Sequence, residues 1–238
     1  NRQVVQHPDG GVVADILVTE GMHVAEVQVL IRLDQAALVS ELSIIEGQLF
    51  ELMARRGRHE AERDNRAEAL FDPVLVAAAA ANPDTALLMD GQTQLLQARA
   101  TSLASQVEQL NKRSQQIENQ IAGITAQREA LALQVSLIQL ELTDQQSLLD
   151  RGLAQASRVL ALQREEARLS GSVGDMTAQK AQAEGRMTEI DIEILKLETT
   201  RREEAITQLR DMQYRERELA EQRLSLIEQL KRLDITAP

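Results

Sequence analysis

The stretch Leu148-Leu149-Asp150-Arg151-Gly152-Leu153-Ala154-Gln155-Ala156-Ser157-Arg158 interrupts two long helical repeats that read as mirror images of one another. Before it, apolar residues seven apart run Leu96, Leu103, Leu110, Ile117, Ile124, Leu131, Ile138; after it they run Leu162, Leu169, Met176, Ala183, Ile190, Leu197. Sustained seven-residue spacing makes one stripe along a helix, and that stripe must be buried against another helix. When a chain folds back antiparallel, the numbers of facing residues add to a constant. Ile138 with Leu169, Leu131 with Met176, Ile124 with Ala183, Ile117 with Ile190 and Leu110 with Leu197 all add to 307. A companion seam of Leu149 with Val159, Val135 with Val173 and Ile121 with Met187 adds to 308. Half of either constant falls near Ala154, inside the break. The expected fold is mainly α, a long antiparallel helical hairpin of coiled-coil type.

Composition agrees with thin helical layers. The 238 residues include no Trp, one Tyr (Tyr214) and two Phe (Phe50, Phe71), so the large side chains that fill thick cores are missing. A net charge of −11 and the shortage of stacking aromatics argue against a nucleic-acid partner. No basic amphipathic segment points to an anionic membrane surface. Zero cysteines excludes disulfides, thiolate chemistry and cysteine zinc sites. No run of about 18 apolar residues is present to span a bilayer. Opening at Asn1 and stopping at Ala237-Pro238, the sequence is read as a fragment of something longer, so the lack of an apolar span here does not mean that the parent lacks an anchor.

In chain order, residues 1–34 carry short β-type runs at Val12-Val13, Ile16-Leu17-Val18 and Val29-Leu30-Ile31. Turns are read at Pro8-Asp9-Gly10-Gly11 and Glu20-Gly21-Met22-His23. About four short strands are expected there, too few to bury a core without a contribution from elsewhere. Residues 35–70 read as a base helix, with Leu38, Leu42, Ile45, Leu49 and Leu52 on one face and a solvated far end at Arg55, Arg56, Arg58, His59, Glu60, Glu62 and Arg63. Residues 71–91 read as a linker, in which Asn82 can cap a helix that has Pro83 at its first position. An ascending hairpin helix at 92–150, an apical turn at 151–157 and a descending helix at 158–233 follow. On helical rise they span roughly 90 to 100 Å and about 115 Å. The descending helix is the longer, and helix one covers its lower end: Leu38 with Leu230, Leu42 with Leu226 and Leu49 with Leu219 add to 268. Below Leu197 the repeat slips by one residue to Ala205, Met212, Leu219, Leu226 and Leu233, which changes the local supercoil. Gly123 and Gly185 add to 308, so they are expected to face each other at a close approach or a bend, the plain alternative being two tolerated glycines. Arg128 and Lys180 share a level and are expected to snorkel outward.

Nothing resembles a reaction centre. His7, His23 and His59 have no second histidine at ligand spacing, no Gly-Lys-Ser/Thr follows the glycines, and acidic residues recur on faces opposite the seam, where solvated charge is the default. No catalytic residue, cofactor or metal is expected.

Val4-Val5-Gln6-His7-Pro8-Asp9-Gly10-Gly11-Val12-Val13, then Ile16 to Val24, then Leu30-Ile31-Arg32-Leu33-Asp34, resembles half of a lipoyl/biotinyl-type domain, and in particular the half-motif of the HlyD family of periplasmic adaptors. In that family a helical hairpin is inserted at the turn where a carrier domain presents its modified lysine, and the second half resumes at an Ile-x-Ala-Pro motif. Residues 234–238, with Ile235-Thr236-Ala237-Pro238, are similar to that restart. Val27 departs from the pattern, standing where these half-motifs usually have glycine. The wording is closest to the adaptors of protease and lipase exporters. The resemblance implies a membrane fusion protein of a type I secretion system, periplasmic and anchored to the inner membrane of a Gram-negative bacterium. It also implies an ABC transporter and a TolC-like outer-membrane channel as partners, and a homo-oligomer, six copies in the full-length protein. Docking on the channel is then expected of the tip residues Leu149, Asp150, Arg151, Gly152, Leu153, Gln155, Ser157 and Arg158. Leu149, Gly152, Leu153 and Ser157 are similar in kind to the Arg-Leu-Ser tip pattern of drug-efflux adaptors, at a different spacing.

Three other readings compete with the adaptor. A drug-efflux adaptor shares the architecture. A biotin or lipoate carrier needs a lysine near residues 33 to 42, and the only lysines are Lys112, Lys180, Lys196 and Lys231. A structural coiled-coil scaffold explains the heptads but neither the β segment nor the restart. Cysteines replacing Ile117 and Ile190 are expected to crosslink within one chain on oxidation; exclusively intermolecular products would show an extended coiled coil instead of a hairpin.

Overall fold

A computed structural model describes residues 4–7 and 10–237, so Pro8 and Asp9 of the first turn and Pro238 of the restart motif lie outside the described residues. The elements are β1 (Val13–Ile16), β2 (Val29–Leu33), α1 (Ala36–Arg63), α2 (Pro73–Ala81), α3 (Pro83–Asp150), α4 (Ala156–Lys231) and β3 (Asp234–Thr236). They form two compact units, residues 1–100 with 200–238, and residues 101–199.

In the first unit β2 pairs antiparallel with both β1 and β3, giving the order β1-β2-β3. The expectation of about four strands before residue 35 is corrected to two among the described residues. Val13 of the first run and Ile16 of the second are the two ends of one strand, whose register shifts between Val13 and Asp15, and the third strand comes from the far end of the chain. The Arg32 guanidinium reaches Asp234 at 2.8 Å across the β2–β3 pair. Val27 adopts φ 65°, a left-handed conformation that costs a β-branched residue about 1–2 kcal/mol. Backbone bonds hold it there: Val27 N–H donates to Ala237 O at 3.1 Å, and Ala237 N–H donates to Gln28 O at 2.8 Å.

The base helix ends at Arg63 rather than near residue 70. Asn65, at φ 52°, turns the chain back, Arg66 N–H donates to Ala61 O, and the orphan carbonyls of the last turn are satisfied. The returning segment lies so close to α1 that a Cβ on Gly57 would meet Leu70 O at 2.7 Å and Phe71 Cδ1 at 2.8 Å. Glycine is required at this crossing. The span 71–91 is not a linker: it holds α2 and the first turns of α3. Asp72 Oδ1 accepts from Val74 N–H ahead of Pro73, and Asn82 Oδ1 accepts from Asp84 N–H ahead of Pro83, so each asparagine or aspartate caps a proline-started helix. An alanine-rich run has strong helix propensity once capped.

The core of this unit gathers Leu49, Phe50, Met53 and Ala54 of α1 around Leu75 of α2 and Leu219 of α4, with Leu88 and Met89 of α3 against it. Arg223 lies 5.9 Å from the Phe50 ring centroid and pairs with Glu46 at 2.8 Å, tying α4 to α1 in the expected antiparallel sense.

The charged end of α1 is not solvated as its composition suggests. Arg58, His59 and Glu62 are buried at 6%, 6% and 4% exposure. Arg58 donates to both Glu62 carboxylate oxygens, to Gln92 Oε1 at 2.7 Å and to His59 Nε2 at 2.8 Å. A guanidinium only donates, so Nε2 of His59 accepts and its ring proton sits on Nδ1. Nδ1 is 3.0 Å from Glu62 Oε2, and Arg99 adds its charge at 3.5 Å. Burial alone would raise the Glu62 carboxyl; the His59 contact and the Arg58 and Arg99 charges outweigh it and hold the group at about 2.

In the second unit the α3–α4 seam buries Ile117, Ile124, Val159, Leu162, Leu169, Ala183 and Ile190. Leu110, Ile121, Met187 and Ile194 pack on the Ile117–Ala183–Ile190 cluster, as the constant sums require. Gly123 and Gly185 do not mark a close approach: both are exposed, and a Cβ on either meets no atom within 4 Å. Lys180 is half-buried and pairs with Glu184.

Because Glu62 falls from an ordinary 4.5 to about 2 on folding, its contribution is complete above pH 4.5 and is lost as pH drops toward 2, worth about 3 kcal/mol. Glu62→Gln should lower stability by at least that amount at neutral pH, since it strands buried arginine charge. The wild-type-minus-variant difference, followed by circular-dichroism melts, should shrink toward zero between pH 4.5 and 2. A pH-independent difference would contradict the ion cluster.

Candidate functional site

The turn between α3 and α4 is a helix C-cap built on one glycine. Leu153 N–H donates to Leu148 O at 2.9 Å, Gly152 N–H donates to Leu149 O at 2.8 Å, and Gly152 has φ 71°. This is the Schellman arrangement, with the left-handed residue one place past the cap and an apolar residue following it. The connection is shorter than expected, because α4 begins at Ala156 rather than Arg158.

The predicted tip residues fall into three groups. Leu149 is half-buried and belongs to the last layers of the seam, beside buried Val159. Asp150, Gln155, Ser157 and Arg158 are exposed but engaged within the chain: Gln146 Nε2 donates to Asp150 Oδ1, Ser157 Oγ donates to Gln155 Oε1, and Arg158 pairs with Glu141. Arg151, Gly152 and Leu153 face solvent, Leu153 at 73% exposure. Of the predicted tip residues, the structure therefore presents one leucine, Leu153, outward. Leu148 and Leu160, outside the predicted set, stand at 36% and 55% exposure. Their signal in the sequence is an apolar residue off the seven-residue seam. Beneath them Leu142, Thr143, Gln146, Ser147, Asp150, Arg151 and Gln163 line an open groove. Among the described residues no group of His, Asp or Glu is placed to hold a metal ion, and no helix is long and apolar enough to cross a membrane.

Residues 38–229 match the family described as AprE, long alpha-helical hairpin. The chain belongs to that family. It is 40% identical over 240 residues to the type I secretion system membrane fusion protein PrsE of Rhizobium meliloti (strain 1021), a match covering 100% of this chain and 54% of that protein. It is 27% identical over 237 residues to the alkaline protease secretion protein AprE of Pseudomonas aeruginosa, covering 100% of this chain and 55% of that one. Among solved structures, the soluble domain of LipC, a membrane fusion protein of a type I secretion system, superposes with a TM-score of 0.92 at 26% identity, over 100% of this chain and 89% of that one. The chain spans about half the length of the curated relatives it matches.

The turn at this crest is made at Gly152 in its left-handed conformation. A Cβ there meets nothing within 4 Å, so the cost of a substitution is conformational alone. Gly152→Ala is expected to destabilise the turn by about 1–2 kcal/mol, read as a roughly tenfold loss of amide protection at Leu153. Unchanged hydrogen exchange at Leu153 and Gly152 would rule out the C-cap as the element that fixes the crest.

Proposed function

We propose that the parent of this chain is the periplasmic adaptor of a type I secretion system, anchored to the inner membrane of a Gram-negative bacterium and without catalysis of its own. It bridges an ABC transporter and a TolC-like outer-membrane channel in one-step protein export, several copies assembling together. The observation that carries this reading is the family membership across residues 38–229, joined to a β segment that resumes after the hairpin as β3. The buried polar cluster of Arg58, His59 and Glu62 is engaged within the chain by Gln92 and Arg99.

The crest docks the channel. Leu153 supports that role best, because it is apolar, exposed and fixed by the Gly152 cap. Burying a leucine side chain on a partner yields about 1.5–3 kcal/mol. Leu149 contributes from within the seam, so aspartate there would disturb the hairpin itself.

In cells whose own adaptor is replaced by the full-length parent, Leu153→Asp should reduce export at least tenfold. The purified chain should keep its melting temperature within a degree or two. Undiminished export with that change would sink the docking role of the crest.

A further inference from the structure

The second unit carries a second apolar stripe that its own seam does not use. On α3 the seam residues are Leu131, Val135 and Ile138, and two positions further on stand Leu133, Leu137 and Leu140, at 61%, 57% and 65% exposure. A shift of two residues is about 200° around a helix, so these leucines form one line on the side turned away from α4. Spacings of four and three make them a second heptad seam, with no partner among the described residues.

On α4 the matching positions are unusually small. The seam there uses Leu169, Val173 and Met176, and two positions earlier stand Ala167, Gly171 and Gly174, all exposed. A Cβ on either glycine meets nothing within 4 Å, so this outer face is open and shallow. Both outer lines lie two residues from the seam in opposite directions along the chain, so they keep its constant: Leu133 with Gly174 and Leu140 with Ala167 also add to 307. Leucine knobs on one outer face thus stand level with holes on the other. Asp144 continues the leucine line and Arg164 the small one, at the next level, and neither forms an ion pair with a described residue.

We propose that Leu133, Leu137 and Leu140 of one copy seat on Ala167, Gly171 and Gly174 of a neighbouring copy of this chain. Copies related by rotation about an axis parallel to the helices stay level, so α3 of one meets α4 of the next in the antiparallel sense and register of the internal seam. Asp144 then faces Arg164. The contact is heterologous, joining two different faces, and it propagates around a ring rather than stopping at a dimer. The inference deepens the adaptor reading by naming the surface through which copies pack, and it rests on that reading only in requiring more than one copy.

The chain has no cysteine, which makes crosslinking clean. Leu137→Cys combined with Gly171→Cys, in concentrated protein under mild oxidation, should give a ladder of dimers, trimers and larger products. Leu137→Cys alone should give at least tenfold less dimer than the pair. Adding Gly174→Leu to the double-cysteine variant should cut the ladder at least tenfold while leaving the melting temperature no lower, since leucine is the better helix former at an open site. Monomer only, a Leu137→Cys dimer as abundant as the pair's, or a ladder indifferent to Gly174→Leu would each overturn the proposal. Export is not part of the readout, so this surface and the docking crest fail separately.

Discussion

The constraint on which the second unit depends is that two helices have only each other to pack against. A two-helix layer offers no thick interior, so each level buries about one side chain from each strand of the hairpin, and large aromatics would overhang it. That is why the seam is built from Leu, Ile, Val, Met and Ala, with Ile117, Ala183 and Ile190 gathered in one buried cluster. A burial of about 1.5–3 kcal/mol per side chain, repeated level after level, offsets the ordering of the backbone only if the register never slips. The constant sum of facing numbers is the arithmetic form of that requirement.

The same constraint made most of this unit legible from sequence, because a seam with one register writes its partner positions into residue numbers. The tip was legible in position but not in kind. Gly152 reads as a break, yet the bonds from Leu153 and Gly152 to Leu148 and Leu149 show the last turn of α3 being closed. Gly123 and Gly185 mislead because a shared level says nothing about direction: both point to solvent.

The first unit was harder to read, since more than two elements meet there and pairing is no longer fixed by one sum. The run Val74 to Ala81 carries no periodicity that distinguishes a linker from a helix; Asp72 and Pro73 decide it, and its burial at Leu75 depends on α1 and α4. The charged end of α1 failed for a different reason. Arg58, His59 and Glu62 have the composition of a solvated face, and only Gln92 and Arg99, brought from α3, turn it into an enclosed ion cluster. The end of α1 depended on Asn65 accepting a left-handed conformation, which asparagine tolerates better than most residues but does not announce.

A hairpin with one occupied seam still has outer faces, and what they carry is free to serve partners. Three exposed leucines offer a gross gain of about 5–9 kcal/mol when covered, against an association cost of about 4–15 kcal/mol. A single contact of that size is weak between free copies. In a closed ring the last copy to enter makes two such contacts while losing its freedom once, so the faces that hardly hold a pair hold a complete circle. Leu133, Leu137 and Leu140 are therefore suited to assembly that is completed by closure, and the crest at Leu153, separated from them by the Gly152 cap, is left available for a partner of another kind.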